Sequence, residues 1–122
     1  MKRAVVRGIV IHGDKLGKKL GYPTANLNWP KKRRLTKGIF IATVQVLDKK
    51  YQGIVIIGIP SLTDGKPKLE IHIFDFEGII YGKWLSATLI EKIRDLKTYK
   101  SKKELLKAIQ KDCQKARTIL KK

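Results

Sequence analysis

The sequence predicts an all-β domain finished by a single helix. Three observations carry that expectation. Apolar residues alternate in short runs through the first three quarters of the chain, Gly, Pro and Asp turn signals separate these runs, and the apolar spacing changes from two to three and four after Ser101. The runs make five or six strands, and their connections are tight enough that the pairing should be mostly antiparallel. Strands first and one helix last imply a closed barrel or strongly curled sheet, with the helix packed over an opening or a side.

Val5 to Ile11 (VVRGIVI) is the first strand. Gly38 to Leu47 (GIFIATVQVL) is the next clear one, with Phe40, Ala42, Val44 and Val46 forming the better core face and Ile39, Ile41, Thr43 and Gln45 the other. A turn at Asp48-Lys49-Lys50 leads into a strand from Tyr51 to Gly58 that closes a hairpin. Leu69 to Phe76 and Trp84 to Ile93 follow, set off by turn-like Thr63-Asp64-Gly65 and Glu77-Gly78. From Ser101, Leu105, Leu106, Ile109, Cys113, Ala116 and Leu120 fall on one helical stripe, and Ser101 with Glu104 makes a capping box. Pro30 and the KKRR run mark Asn28 to Lys37 as an exposed, mobile loop.

A chain of 122 residues has room for one core. Apolar residues make up 43% of it, which is a globular composition, yet no run reaches the length of a membrane span and the basic start lacks a signal-peptide core. The expectation is a cytoplasmic monomer with no membrane partner. Cys113 is the only cysteine, which excludes an internal disulfide or a cysteine metal cluster and makes it a small helix hydrophobe. The net charge of +18 is unevenly placed: residues 1–37 carry 11 Lys or Arg against one Asp, residues 97–122 carry 10 against two acids, and the middle is balanced at 7 against 7. Such a field attracts nucleic acid, acidic membrane or phosphorylated small molecules, and is equally the mark of a lysine-rich surface.

The stretch HGDKLGKKLGYPTANL, residues 12 to 27, is where an anion could sit. Glycines at 13, 17 and 21 let backbone N–H groups converge, and Lys15, Lys18 and Lys19 supply charge. It is not a Walker A loop, because only three residues separate Gly13 from Gly17 and Lys-Lys follows where Lys-Ser or Lys-Thr is needed. In the PTANL that ends it, Thr24 and Asn26 point to one side if the segment is extended, offering a hydroxyl and an amide oxygen to one hard cation; alone, the pair is an ordinary turn composition.

Read from Gly13 to Leu27, G-x-x-x-G-x-x-LG-x-PTANL closely resembles the signature of the riboflavin kinase (flavokinase) family, the domain that also forms the C-terminal half of bacterial bifunctional FAD synthetases. KGIFIATVQV, IIGIPS, LEIHIFDF, IYGKWL and IRDLKTYKSKKELLKAIQKDCQKAR are similar to later segments of that family in the same order, so the resemblance spans nearly the whole chain as one domain, residues 1–122. It implies a closed antiparallel Greek-key β-barrel of about six strands with a C-terminal α-helix. It implies an enzyme that moves the γ-phosphate of ATP to the terminal ribityl hydroxyl of riboflavin with Mg2+, giving FMN and ADP. It also implies no FAD synthesis from this chain alone.

The resemblance assigns roles. Gly13, Gly17, Lys18 and Gly21 would wrap the nucleotide phosphates, Thr24 and Asn26 would bind the magnesium-nucleotide, Glu70 would take the hydroxyl proton, and Arg94 and Tyr99 would lie on the flavin side. Strand alternation puts Glu70, His72, Phe74 and Phe76 on one face, so the carboxylate would stand beside apolar surface suited to a flavin ring. His72 receives no catalytic role. Leu96 stands where the family commonly has Glu, and Ile56 where it often has Asn. The competing reading is a small basic β-barrel that binds RNA or single-stranded nucleic acid, against which there is no ordered interleaving of aromatic and basic residues.

Overall fold

The computed structural model describes residues 3–11, 24–28, 35–60, 65–76 and 78–120. Six strands, β1 (Val5–Ile11), β2 (Thr24–Leu27), β3 (Gly38–Val46), β4 (Lys49–Pro60), β5 (Pro67–Ile73) and β6 (Trp84–Arg94), precede one helix, α1 (Lys102–Leu120). The strands close into a barrel in the order β1-β2-β5-β4-β3-β6, with every pair antiparallel. β3, β4 and β5 form a meander and β6 returns to lie beside β3, which is the Greek-key arrangement.

The period-two pattern sets which side chains fill the barrel. Phe40, Ala42, Val44 and Val46 of β3 point inward, as expected, together with Val6 and Val10 of β1, Leu69, Ile71 and Ile73 of β5, and Leu85 and Ala87 of β6. The other face of β3 is also buried at Ile39 and Ile41, because α1 lies against the outside of the barrel rather than over an end. Ile109, Cys113 and Ala116 pack there on Ile39, Ile41, Ile54, Ile56 and Phe74. Ser101 starts the helix as its capping box requires: its Oγ accepts from the Glu104 N–H at 3.2 Å. The Glu104 carboxylate accepts in return from the Lys100 N–H at 3.1 Å, one residue earlier than the usual reciprocal bond. Cys113 is wholly buried, and burial, aided by the charge of Asp112, pushes its thiol up to about 12 despite Arg117 nearby, so it is an inert hydrophobe.

Several expectations need correction. The β3–β4 turn is Leu47-Asp48, with Leu47 at a φ of 57°, so β4 begins at Lys49 and runs two residues past Gly58. Gly58 itself, at a φ of 93°, sits at the register shift between Ile57 and Ile59. β5 stops at Ile73, and the chain turns through Asp75 at a φ of 59°. Phe76 is thereby swung into the barrel, where it stacks on Tyr51 with ring centroids 5.2 Å apart, while Phe74 keeps the outer face. Phe76 therefore does not share a face with Glu70. In the segment expected as an exposed loop, Leu35 packs on the barrel core; residues 29–34 lie outside the described residues.

Candidate active site

β2 is four residues long, and its register fixes the site. Asn26 faces Glu70 of β5, which in turn faces Ile56 of β4; one step along, Thr24, His72 and Ile54 form the next row. Ala25 and Leu27 point into the barrel, so Asn26 lies on the outer face, as do Glu70 and His72 between the inward Leu69, Ile71 and Ile73. Asn26, Glu70 and His72 are nonetheless 6%, 2% and 0% exposed, a degree of burial that polar groups tolerate only with partners.

Glu70 has two. Lys68 Nζ lies 3.0 Å from its Oε2, and His72 Nε2 lies 2.6 Å from its Oε1, a close polar contact off the axis of a directed hydrogen bond. Burial by itself would push the Glu70 carboxyl up, but His72 and Lys68 together outweigh it and hold the group down at about 2. The carboxylate is thus ionised at any physiological pH. Asn26 Oδ1, in contrast, finds no hydrogen-bond donor among the described residues. A buried acceptor oxygen without a donor, directly across the register from a carboxylate, is the donor chemistry a hard cation takes. Thr24 is placed by its backbone in the neighbouring row. Gly13, Gly17, Lys18 and Gly21 lie outside the described residues.

A second cluster lies where β6 ends. Arg94 donates through Nε to Asp112 Oδ1 at 2.9 Å and through Nη2 to Oδ2 at 2.8 Å, and its guanidinium sits 5.8 Å from the Tyr99 ring centroid. The Asp112 hydrogen bond is the main reason Arg94 is held in its charged form. Arg94 and Tyr99 line an open cleft of about 490 Å3 with Lys97, Lys107 and Lys111, and a narrow apolar crevice that reaches Ile56, the cross-strand neighbour of Glu70. The structure thus brings Asn26 and Glu70 together and joins Arg94 to Tyr99. Lys68 and Asp112 were not legible as site residues by type. Their signal is position: Lys68, Glu70 and His72 alternate on one strand face, and Asp112 borders the Ile109, Cys113, Ala116 stripe.

Comparison with known proteins bears on this arrangement directly. The family model described as Flavokinase: Riboflavin kinase matches residues 1–120. The chain belongs to the riboflavin kinase family. It is 39% identical over 111 residues to the bifunctional riboflavin kinase/FMN adenylyltransferase of Buchnera aphidicola subsp. Acyrthosiphon pisum, covering 88% of this chain and 36% of that protein, so it spans about a third of the length of that curated relative. Among solved structures, the riboflavin kinase of Trypanosoma brucei shares the fold with a TM-score of 0.64 at 23% identity, covering all of this chain and 82% of that one. A protein described as a macrolide-efflux protein from Streptococcus pneumoniae superposes with a TM-score of 0.74 at 30% identity, over 90% of this chain and 37% of that one. Riboflavin kinase membership accounts for the closed barrel with its C-terminal helix, and it does not favour nucleic-acid binding as the primary role. No helix among the described residues is long and apolar enough to cross a membrane.

Proposed function

We propose that this chain phosphorylates riboflavin, transferring the γ-phosphate of ATP to the terminal ribityl hydroxyl to give FMN and ADP. The observation that carries the reading is the buried Asn26–Glu70 cross-strand pair in a chain of the riboflavin kinase family. Glu70 accepts the hydroxyl proton: the O–H bond breaks as a proton passes to the carboxylate, the oxygen forms its bond to the γ-phosphorus, and the bond from that phosphorus to the bridging oxygen breaks to release ADP. A carboxylate held near 2 is a weak base, and a weak base suffices because phosphoryl transfer proceeds through a loose transition state in which the hydroxyl proton leaves late.

Asn26 Oδ1, with the Thr24 hydroxyl proposed beside it, would hold Mg2+, which when bound neutralises charge on the phosphate oxygens. The glycine loop of Gly13, Gly17, Lys18 and Gly21 is proposed to wrap the nucleotide phosphates. Arg94 and Tyr99, at the crevice that reaches Ile56, are proposed to bound the flavin side, with Arg94 oriented by Asp112. Incubation with riboflavin, ATP and Mg2+ followed by chromatography tests the reading. FMN is the expected product; no FMN with ATP or any other nucleoside triphosphate contradicts it.

A further inference from the structure

Glu70 must present one oxygen to the substrate while buried, and a carboxylate free to rotate would present neither consistently. Its two oxygens have unequal surroundings. Oε1 is met by His72, which is wholly buried and whose Nε2 stands 2.6 Å away. Oε2 is met by Lys68, the only one of the two partners that reaches solvent, at 12% exposure. Two bare acceptors would repel at 2.6 Å, so Nε2 carries the proton in this contact. Neither ring nitrogen has a directed hydrogen-bond partner among the described residues, so the 2.6 Å approach of Nε2 to Oε1 is the polar contact the structure shows for this imidazole.

Strand geometry makes the contact specific. Glu70 and His72 are two apart on β5 and therefore on the same face. Behind His72 the backbone is fixed, because Gly53 of β4 approaches so closely that a Cβ there would stand 2.3 Å from the His72 carbonyl oxygen. The imidazole is thus mounted on a closely packed stretch of sheet, with its Nε2 beside Oε1 of the carboxylate.

We propose that His72 is a positioning residue for phosphoryl transfer: its Nε2, in close polar contact with Oε1, restrains that oxygen of Glu70, so that Oε2, on the side open to Lys68 and solvent, is the oxygen that takes the substrate proton. A carboxylate has lone pairs enough for Oε2 to keep its Lys68 contact while it does so. The proposal rests on Glu70 being the base of a riboflavin kinase, and it adds which oxygen reacts and what holds the other.

The test compares two substitutions that differ in reach. The side-chain amide of His72→Gln can place a donor near the position of Nε2, whereas that of His72→Asn ends near the position of Nδ1. FMN formation by the wild-type chain is measured first; its absence would refute the kinase reading rather than the role of His72. Given activity, His72→Asn is expected to lower kcat by roughly 10- to 100-fold, the scale of a misplacement of up to about an ångström, with KM for riboflavin and ATP little changed. His72→Gln should keep kcat within about threefold, and His72→Asn should cost nothing further in a Glu70→Gln background. Equal kcat for the two variants, or losses that simply multiply in the double variant, overturns the proposal. If His72→Asn fails to fold, a folded His72→Gln with kcat reduced tenfold or more overturns it, and one that retains turnover supports it. Failure of both variants to fold makes His72 a structural group and also overturns it.

Discussion

Asp112 of α1 accepts both Nε–H and Nη2–H of Arg94 at 2.9 and 2.8 Å, and this fork joins the end of β6 to the helix that covers the barrel's side. Asp112 is 5% exposed, so removing its partner would strand a buried charge, while the Arg94 side chain is 20% exposed and open to hydration.

Asp112→Ala is therefore expected to destabilise the fold by about 1–3 kcal/mol, below the full cost of breaking a buried pair because Arg94 can hydrate. It should also free Arg94 and Tyr99 from their places at the cleft, raising KM for riboflavin more than for ATP. Denaturant unfolding and substrate-dependence kinetics measure the two effects. A stable variant with unaltered riboflavin KM would remove Arg94 from the flavin side.

Gly53→Ala tests how rigidly β5 is held. The added methyl would meet the His72 carbonyl oxygen at 2.3 Å, a backbone atom that cannot move without moving the strand. A loss of about 1–3 kcal/mol, with reduced turnover in what remains folded, is expected from overpacking. Thermal unfolding and the rate per folded molecule check it.

The pH dependence of stability follows from Glu70. Its folded pKa, about 2, lies below its ordinary value of 4.5, so the carboxylate stabilises the fold above 4.5 and that contribution disappears as the pH falls from about 4.5 to about 2. Glu70→Gln has no such group to protonate. Melting temperatures measured from pH 5 to pH 2 should fall more steeply for the wild type than for the variant; parallel curves would mean that His72 and Lys68 do not stabilise the ionised form.

Asn26→Ala removes the buried oxygen that lacks a donor. The fold should hold, since no protein partner of Oδ1 is lost among the described residues, while the Mg2+ and ATP concentrations needed for half-maximal rate should rise. Titration of the metal at fixed riboflavin checks this, and an unchanged metal requirement would take Asn26 out of the metal site.

The fold was legible where period and turn chemistry agree. β1 has the bounds read from VVRGIVI, the inner face of β3 is the one chosen, and α1 starts at its capping box. The strand β2 was visible only as an extended possibility, since four residues give too little alternation and its pairing with β1 and β5 is a tertiary fact. Phe76 was misplaced because continuing a period of two assumes a straight strand, and the positive φ at Asp75 breaks it. The juxtaposition of Asn26 with Glu70 needs the barrel to close, so residue type and motif resemblance could nominate both while local pattern could not bring them together. Asp112 carries no local signal for its role, because its partner, Arg94, is 18 residues away.

The rate of Glu70→Gln tests the central claim most directly. The amide keeps the shape of the carboxylate and leaves the nucleotide side untouched, so ATP binding with Mg2+, followed by calorimetry, should survive. FMN formation at saturating riboflavin and ATP should fall by on the order of 10²- to 10⁴-fold, the loss that accompanies removal of a proton acceptor. A folded Glu70→Gln that turns over at close to the wild-type rate would contradict the account, leaving Glu70 as a buried structural carboxylate and the transfer to be carried by positioning alone.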